Sequence, residues 1–143
     1  MIGDEIAQAA IIAKLKLIAP FTSSFGSVQS SEIREWDWQG DVFTYPNIRV
    51  ELEDNRPYYD EQQKCTLQMV EFSVYVFSEQ KSSKECSQIK TNIINALTTF
   101  SNQSLGIKST PVRIVENVPV IRQDERTWRA QVKYSSKVSN LIS

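Results

Sequence analysis

The stretch from Thr66 to Ser78, TLQMVEFSVYVFS, constrains the fold more than any other part of the chain. Val70, Phe72, Val74 and Val76 alternate along it, the period of two that a β-strand imposes. The opposite side is partly apolar as well, with Leu67, Met69 and Tyr75 interrupted by Glu71 and Ser73. A strand apolar on both sides belongs in the middle of a sheet, covered on both faces. A few residues later the period changes. Cys86, Ile89, Ile93, Ala96, Leu97 and Phe100 recur at helical spacing, which predicts an amphipathic helix over 82–100. Ser82 and Glu85 have capping-box spacing at its start.

The remaining segments arrange themselves around this pair. Residues 4–18 read as a first helix, with Ile2, Ile6, Ala9, Ala10, Ala13 and Leu17 at helical spacing and Ile11, Ile12, Leu15 and Ile18 widening the apolar arc. Asp4 favours the positive end of the helix dipole, and Pro20 stops the helix. Residues 22–31 are a Ser-rich loop, followed by a short strand that puts Trp36 and Trp38 on one side, as core or edge cover. In YPNIRVELED, Ile48, Val50 and Leu52 point one way and Arg49, Glu51 and Glu53 the other, a strand with one wet face. Residues 54–64 form a long polar loop carrying Tyr58 and Tyr59. The chain closes on a hairpin. PVRIVENVPVI is one strand, bulged near Asn117 and Pro119, and RQDER is the turn. The return strand TWRAQVKYS turns Trp128, Ala130, Val132 and Tyr134 inward and Thr127, Arg129, Gln131 and Lys133 outward.

The expected fold is therefore α+β: a two-layer sandwich in which an antiparallel sheet of about four to five strands carries two main helices, near 4–18 and 82–100, on one face. The strands are expected to be antiparallel because most neighbours are joined by connections too short for a parallel crossover. With 143 residues, one domain spanning 1–143 with one core is expected.

Composition removes whole classes of chemistry. The chain has no histidine, which excludes Ser-His-Asp and Cys-His catalysis and the commonest zinc and iron sites. Cys65 and Cys86 are too far apart in sequence for a C-x-x-C pair and read as free thiols, one on a strand and one on a helix. Four scattered glycines build no phosphate-cradling loop. Glu51, Glu53, Asp54, Asp60 and Glu61 cluster without metal-binding spacing and read as the solvated side of a strand and loop. Arg122, Arg126, Arg129 and Lys133 lie near Trp128, but Asp124 and Glu125 fall between them and the net charge is −1, so a mixed-charge surface is favoured over a nucleic-acid groove. No apolar run has the length of a membrane span, and Asp4 and Glu5 occupy the place of a cationic signal region, so an intracellular protein is expected. No catalytic residue, cofactor or metal is expected.

Three pieces of the chain resemble phage tail-terminator proteins, also called tail-completion or head–tail joining proteins. They are the YPNIRVELED strand, the strand-into-helix piece VEFSVYVFSEQKSSKECSQIKTNIINAL, and the closing hairpin VPVIRQDERTWRAQVKYSSKV. With the first helix they cover most of the sequence, while Ser23–Trp38 has no counterpart in that pattern. The resemblance implies a small α+β subunit that forms a ring, expected to be hexameric, on the tail tube. Such a ring stops tube growth and joins the tail to the head connector. Its implied partners are further copies of itself, the tail tube protein, the head–tail connector or neck proteins, and the sheath where the tail is contractile. DNA only passes through the lumen, and no membrane is involved. The implied location is the virion, with the host cytoplasm before assembly. No catalytic residue comes with the resemblance.

Interface positions are read from this sequence alone: Arg49, Glu51, Glu53, Arg56, Tyr58, Tyr59, Arg122, Asp124, Glu125, Arg126 and Arg129. The strands around 48–53 and 112–121 offer edges that could extend the sheet between subunits. The competing readings are another neck or tail-tube adaptor and a small intracellular protein-binding module with the 54–64 loop as its contact. An enzyme using carboxylate or tyrosine chemistry would need a pocket holding perturbed ionisable groups.

Overall fold

The computed structural model describes residues 4–24, 26–36, 45–57, 67–80, 82–98, 103–104, 107–109, 113–123 and 127–140. Helix α1 spans Asp4–Ile18, with acidic residues in its first turn and Lys16 in its last, matching the helix dipole at both ends. Ala7, Ala10 and Leu15 are buried, and Ile11, Ile12 and Ile18 pack against the same core. Leu17 and Ala9, expected in the buried stripe, are exposed, Leu17 by 77%. The helix is apolar around much of its circumference, so periodicity singles out no one face; contact with the sheet selects it. The helix ends at Ile18, and the Ala19 N–H donates to Leu15 O at 3.0 Å just before a cis Ala19–Pro20 bond.

The Ser-rich segment is more structured than a loop. Strands β1 (Phe21–Thr22) and β2 (Ser27–Val28) pair antiparallel, with Phe21 and Val28 buried as anchors. Ser23 closes the turn, its N–H donating to Gly26 O at 2.7 Å while the Gly26 N–H donates back to Ser23 Oγ at 3.2 Å. A 3₁₀ turn, Ser30–Glu32, leads into β3 (Ile33–Glu35).

The sheet departs from expectation in two ways. Strand β3 lies parallel to β4 (Asn47–Pro57), with Ile33 opposite Ile48 and Glu35 opposite Val50. Trp36, just past the strand end, adds an N–H bond to Val50 O at 2.9 Å. The sheet is thus mixed, not wholly antiparallel. The physical reason is length: eleven residues, 36–46, separate Glu35 from Asn47, well beyond the two-residue hairpin that would have imposed an antiparallel pair. Among the described residues the sheet also holds seven strands. These are β3, β4, β5 (Leu67–Ser78), β6 (Gln103–Ser104), β7 (Ile107–Ser109), β8 (Arg113–Arg122) and β9 (Trp128–Asn140), and the order is β3-β4-β5-β9-β7-β6. Strand β8 pairs with β9 alongside this path, because β9 is long enough to hold β8 along Trp128–Ser135 and β7 along Val138–Asn140.

Register assigns the two faces. Ile48, Val50 and Leu52 stand opposite Val76, Val74 and Phe72, which in turn stand opposite Ala130, Val132 and Tyr134. That face packs against α1 and against helix α2 (Lys84–Thr98), which contributes Cys86, Ile89, Ile93 and Leu97. Both helices therefore cover one face of the sheet, and each fully buried large apolar side chain contributes roughly 1.5–3 kcal/mol. The Phe72 and Tyr134 rings stack with centroids 5.3 Å apart. The Cys86 Sγ–H donates to Val76 O at 3.3 Å, and burial pushes its thiol up to about 12, so it is a core residue; Cys65 lies outside the described residues.

The capping box does not form as expected. Ser82 Oγ accepts from the Lys84 N–H at 3.4 Å, but Glu85 turns inward, 1% exposed. Its carboxylate accepts from Ser78 Oγ at 2.9 Å and lies 3.3 Å from Ser23 Oγ, tying the β1–β2 hairpin to the end of β5. Thr127, expected to point outward, is also buried.

Candidate functional site

The helix-free face of the sheet has two zones. The first is aromatic. Tyr75 and Phe77 stand side by side on β5 and are buried although no helix covers them. Trp36 covers them, its ring centroid 4.3 Å from Tyr75 and 6.0 Å from Phe77, while 42% of the residue stays exposed. The Arg129 guanidinium approaches the Tyr75 ring at 6.0 Å. Trp36 is thus a cover for the sheet with an outer surface still open to a partner.

The second zone is acidic. One row across the face runs Glu51, Ser73, Lys133, Glu116, and beside it run Asp54, Glu71, Ser135, Arg113. A register shift between Leu52 and Asp54 makes Glu53 the bulged residue and aims it over Ser73. Lys133 Nζ pairs with Glu53 at 2.8 Å and with Glu71 at 3.9 Å, and Ser73 donates its hydroxyl to Glu53 while accepting from Gln131. Burial raises the Glu53 carboxyl, but the Lys133 and Ser73 hydrogen bonds and the Lys133 charge outweigh it and hold the group below its ordinary value. Glu51 has no such help. Burial and the neighbouring Glu53 charge push it above its ordinary value.

Strand β8 is a surface of a different kind. Eight of its ten residues are exposed, including Ile114 at 41%, Val115 at 52% and Ile121 at 40%. Among the described residues its only strand partner is β9, so its outer edge is open. Register shifts lie between Ile114 and Glu116 and between Val118 and Ile121, the second spanning Pro119, where the proline in RIVENVPVIR led us to expect a bulge.

These placements sort the residues singled out in the sequence. Glu51, Glu53 and Arg129 share the helix-free face, and Arg122 sits at the end of β8 opposite Trp128. Arg49 is on that face but is only 2% exposed, correcting its reading as an outward contact residue. Its Nη1 donates to Glu32 O at 2.7 Å and to Ile48 O at 2.9 Å, so it holds the 3₁₀ turn against β4. Arg56 stands opposite Met69 near the end of β4; Trp38, Tyr58, Tyr59, Asp60, Glu61, Asp124, Glu125 and Arg126 lie outside the described residues. The exposed apolar residues of β8 were missed as a group. The available signal was the run Ile114–Val115 beside Val120–Ile121, which breaks the strict alternation of a strand with one buried face.

Among the described residues no group of three or more His, Cys, Asp and Glu side chains is placed to hold a metal ion. A shallow groove lined by Thr22, Ser23, Ser24, Ser87, Gln88, Thr91 and Asn92 is uncharged. Its polar groups bond across the seam: Ser24 N–H to Gln88 Oε1 at 2.9 Å, and Asn92 Nδ2 to Thr22 O at 2.7 Å. No described helix is long and apolar enough to cross a membrane.

What the described residues define is an α+β two-layer fold with a helix-free sheet face and an exposed edge strand. No family model and no curated protein matches the sequence. Solved structures do share the fold. A chain of a structure described as the virion of a native gene transfer agent particle matches with a TM-score of 0.68 and 12% identity, over 96% of this chain and 100% of that one. A second solved structure, whose name says nothing of its role, matches with a TM-score of 0.55 and 12% identity, over 97% of each chain. At such identity the likeness is one of fold.

Proposed function

We propose that this chain is a structural subunit of a phage-like particle and acts as its tail terminator. A ring of copies, expected to be hexameric, caps the tail tube, stops its growth and presents a surface to the head connector. The observation that carries the reading is the fold shared over 96% of this chain and 100% of a virion-particle chain. The exposed edge strand and the half-open Trp36 cover support it, since a ring subunit needs surfaces that a solitary globular domain would bury or make polar. So does the absence of histidine, which leaves little nucleophile or metal chemistry within reach.

The partners of this reading are the chain itself, the tail tube protein and the neck proteins, with the sheath added in a contractile tail. DNA passes through the lumen without being gripped, in keeping with a net charge of −1. The protein resides in the host cytoplasm before assembly and in the virion afterwards. Glu51, Glu53, Arg56, Tyr58, Tyr59, Arg122, Asp124, Glu125, Arg126 and Arg129 are the proposed contact residues, while Arg49 contributes from inside by fixing the turn before β3.

The test adds purified protein to cognate tail tubes while the tubes are still growing. Negative-stain images should show rings at one end of each tube, and tube length should stop increasing. Tubes that keep growing with bare ends would overturn the terminator reading, whatever the chain does alone.

A further inference from the structure

We infer that β8 of one copy pairs with the outer edge of β4, residues 51–57, in the next copy, so that the sheet continues from subunit to subunit. This deepens the ring reading and rests on it; the partner is a second copy of this chain.

Three observations carry the inference. First, the two edges lie at opposite ends of the sheet. Strand β3 pairs with β4 only along Ile48–Val50, so from Glu51 onward β4 has no strand on that side among the described residues. Strand β8 leaves its outer edge open at the other end. Two different edges are what a head-to-tail contact requires. Second, direction fits. Each of the steps β4 to β5, β5 to β9 and β9 to β8 is antiparallel, so β8 runs opposite to β4. Placed beside the next copy without inversion, it meets that β4 as an antiparallel neighbour with the same sheet face on the same side.

Third, one register satisfies faces, charges and irregularities together. Setting Leu52 opposite Val120 places two residues of the helix side together, both of which pack against the core in their own subunit. It then sets Asp54 opposite Val118 on the helix-free side, and it puts Glu116 at the position facing Arg56. The bulged Glu53 falls opposite Pro119, where each strand already departs from regular pairing and the missing proline N–H costs no ladder bond.

The test is a cross-link in a Cys65→Ser background, where the remaining Cys86 is buried. Asp54→Cys and Val118→Cys are made singly and together, then mildly oxidised or treated with a short bismaleimide. The double variant should give a ladder of covalent oligomers extending beyond the dimer, and neither single variant should cross-link. Dimers from Val118→Cys alone would mean β8 on β8 and overturn the inference, as would a double variant that stays monomeric on a denaturing gel. Light scattering of the unmodified chain separates the two levels. A ring without a ladder leaves the ring reading intact and removes this contact; neither ring nor ladder removes this contact and leaves the ring reading to the tail-tube test.

Discussion

At the scale of single residues, the buried polar groups divide into those the fold satisfies and those it leaves costly. Tyr134 is the clearest of the second kind. Its ring is fully buried against Phe72, yet its hydroxyl finds no partner among the described residues. Burial accordingly raises its pKa. A buried unsatisfied hydroxyl costs about 1–3 kcal/mol, so Tyr134→Phe should stabilise the subunit by about 1 kcal/mol. Tyr134→Ala should cost about 3–5 kcal/mol by opening a cavity. Urea denaturation of the two variants checks both signs at once; a destabilised Tyr134→Phe would reveal a partner for the hydroxyl. The acidic zone gives a pH prediction with two opposite signs. The Glu53 pKa is lowered in the fold, so its contribution is complete above the unfolded carboxylate pKa and disappears as pH falls through the folded value. The Glu51 pKa is raised, so its penalty sets in as pH rises through the unfolded value and is complete above the folded one. At neutral pH, Glu51→Gln should raise the Tm slightly, on the order of a degree after solvent screening, and Glu53→Gln should lower it. Both differences should shrink as pH falls, as thermal scans at pH 7 and pH 3 would record.

At the scale of elements, what could be read from the sequence depended on whether a segment's pattern was enforced by one neighbour or by several. Strand β5 was read correctly because its alternation is unbroken and both its neighbours are long strands in register. Helix α2 was read correctly because its apolar stripe is narrow, so Ile89, Ile93 and Leu97 had one possible face. Helix α1 gave its limits but not its buried side, since alanine and isoleucine surround it and only docking on β4 decides. The parallel β3–β4 pair was invisible, because three residues carry no usable period and direction is set by the length of the intervening chain. Glu85 shows the same limit within one side chain. Its spacing from Ser82 suits a cap, yet two hydroxyls brought from Ser78 and Ser23 claim it. The β1–β2 hairpin therefore depends on α2 through this carboxylate. Glu85→Ala should cost about 2–3 kcal/mol and Glu85→Gln less, because the amide keeps the volume and can still accept from Ser78. Hydrogen exchange should show the loss first at residues 21–28. Uniform faster exchange across the sheet, with no preference for the hairpin, would assign Glu85 a general packing role instead.

At the scale of the whole molecule, the question is why a chain would keep β8 so exposed. An isolated subunit gains nothing from Val115 and Ile121 in water, and an open apolar edge strand invites uncontrolled association. Natural sequences limit that hazard with charge, proline and bulges, and β8 carries all three: Arg113 and Arg122 at its ends, Glu116 and Pro119 within. The combination blunts pairing with an arbitrary strand and leaves pairing possible with an edge irregular at the matching position. It follows that stability and assembly should separate cleanly in this strand. Val115→Lys and Ile121→Glu remove little from the folded subunit, about 0.5 kcal/mol or less, because both side chains are already exposed, by 52% and 40%. In a closed ring the same substitutions add a charge at every subunit contact, so their effect on assembly is multiplied by the number of contacts. Both variants should melt with the parent protein yet remain monomers in sedimentation velocity and fail to cap tail tubes. If they capped tubes normally, β8 would lie outside the contact, and the Trp36 and Glu51 face would be the surface to reverse next.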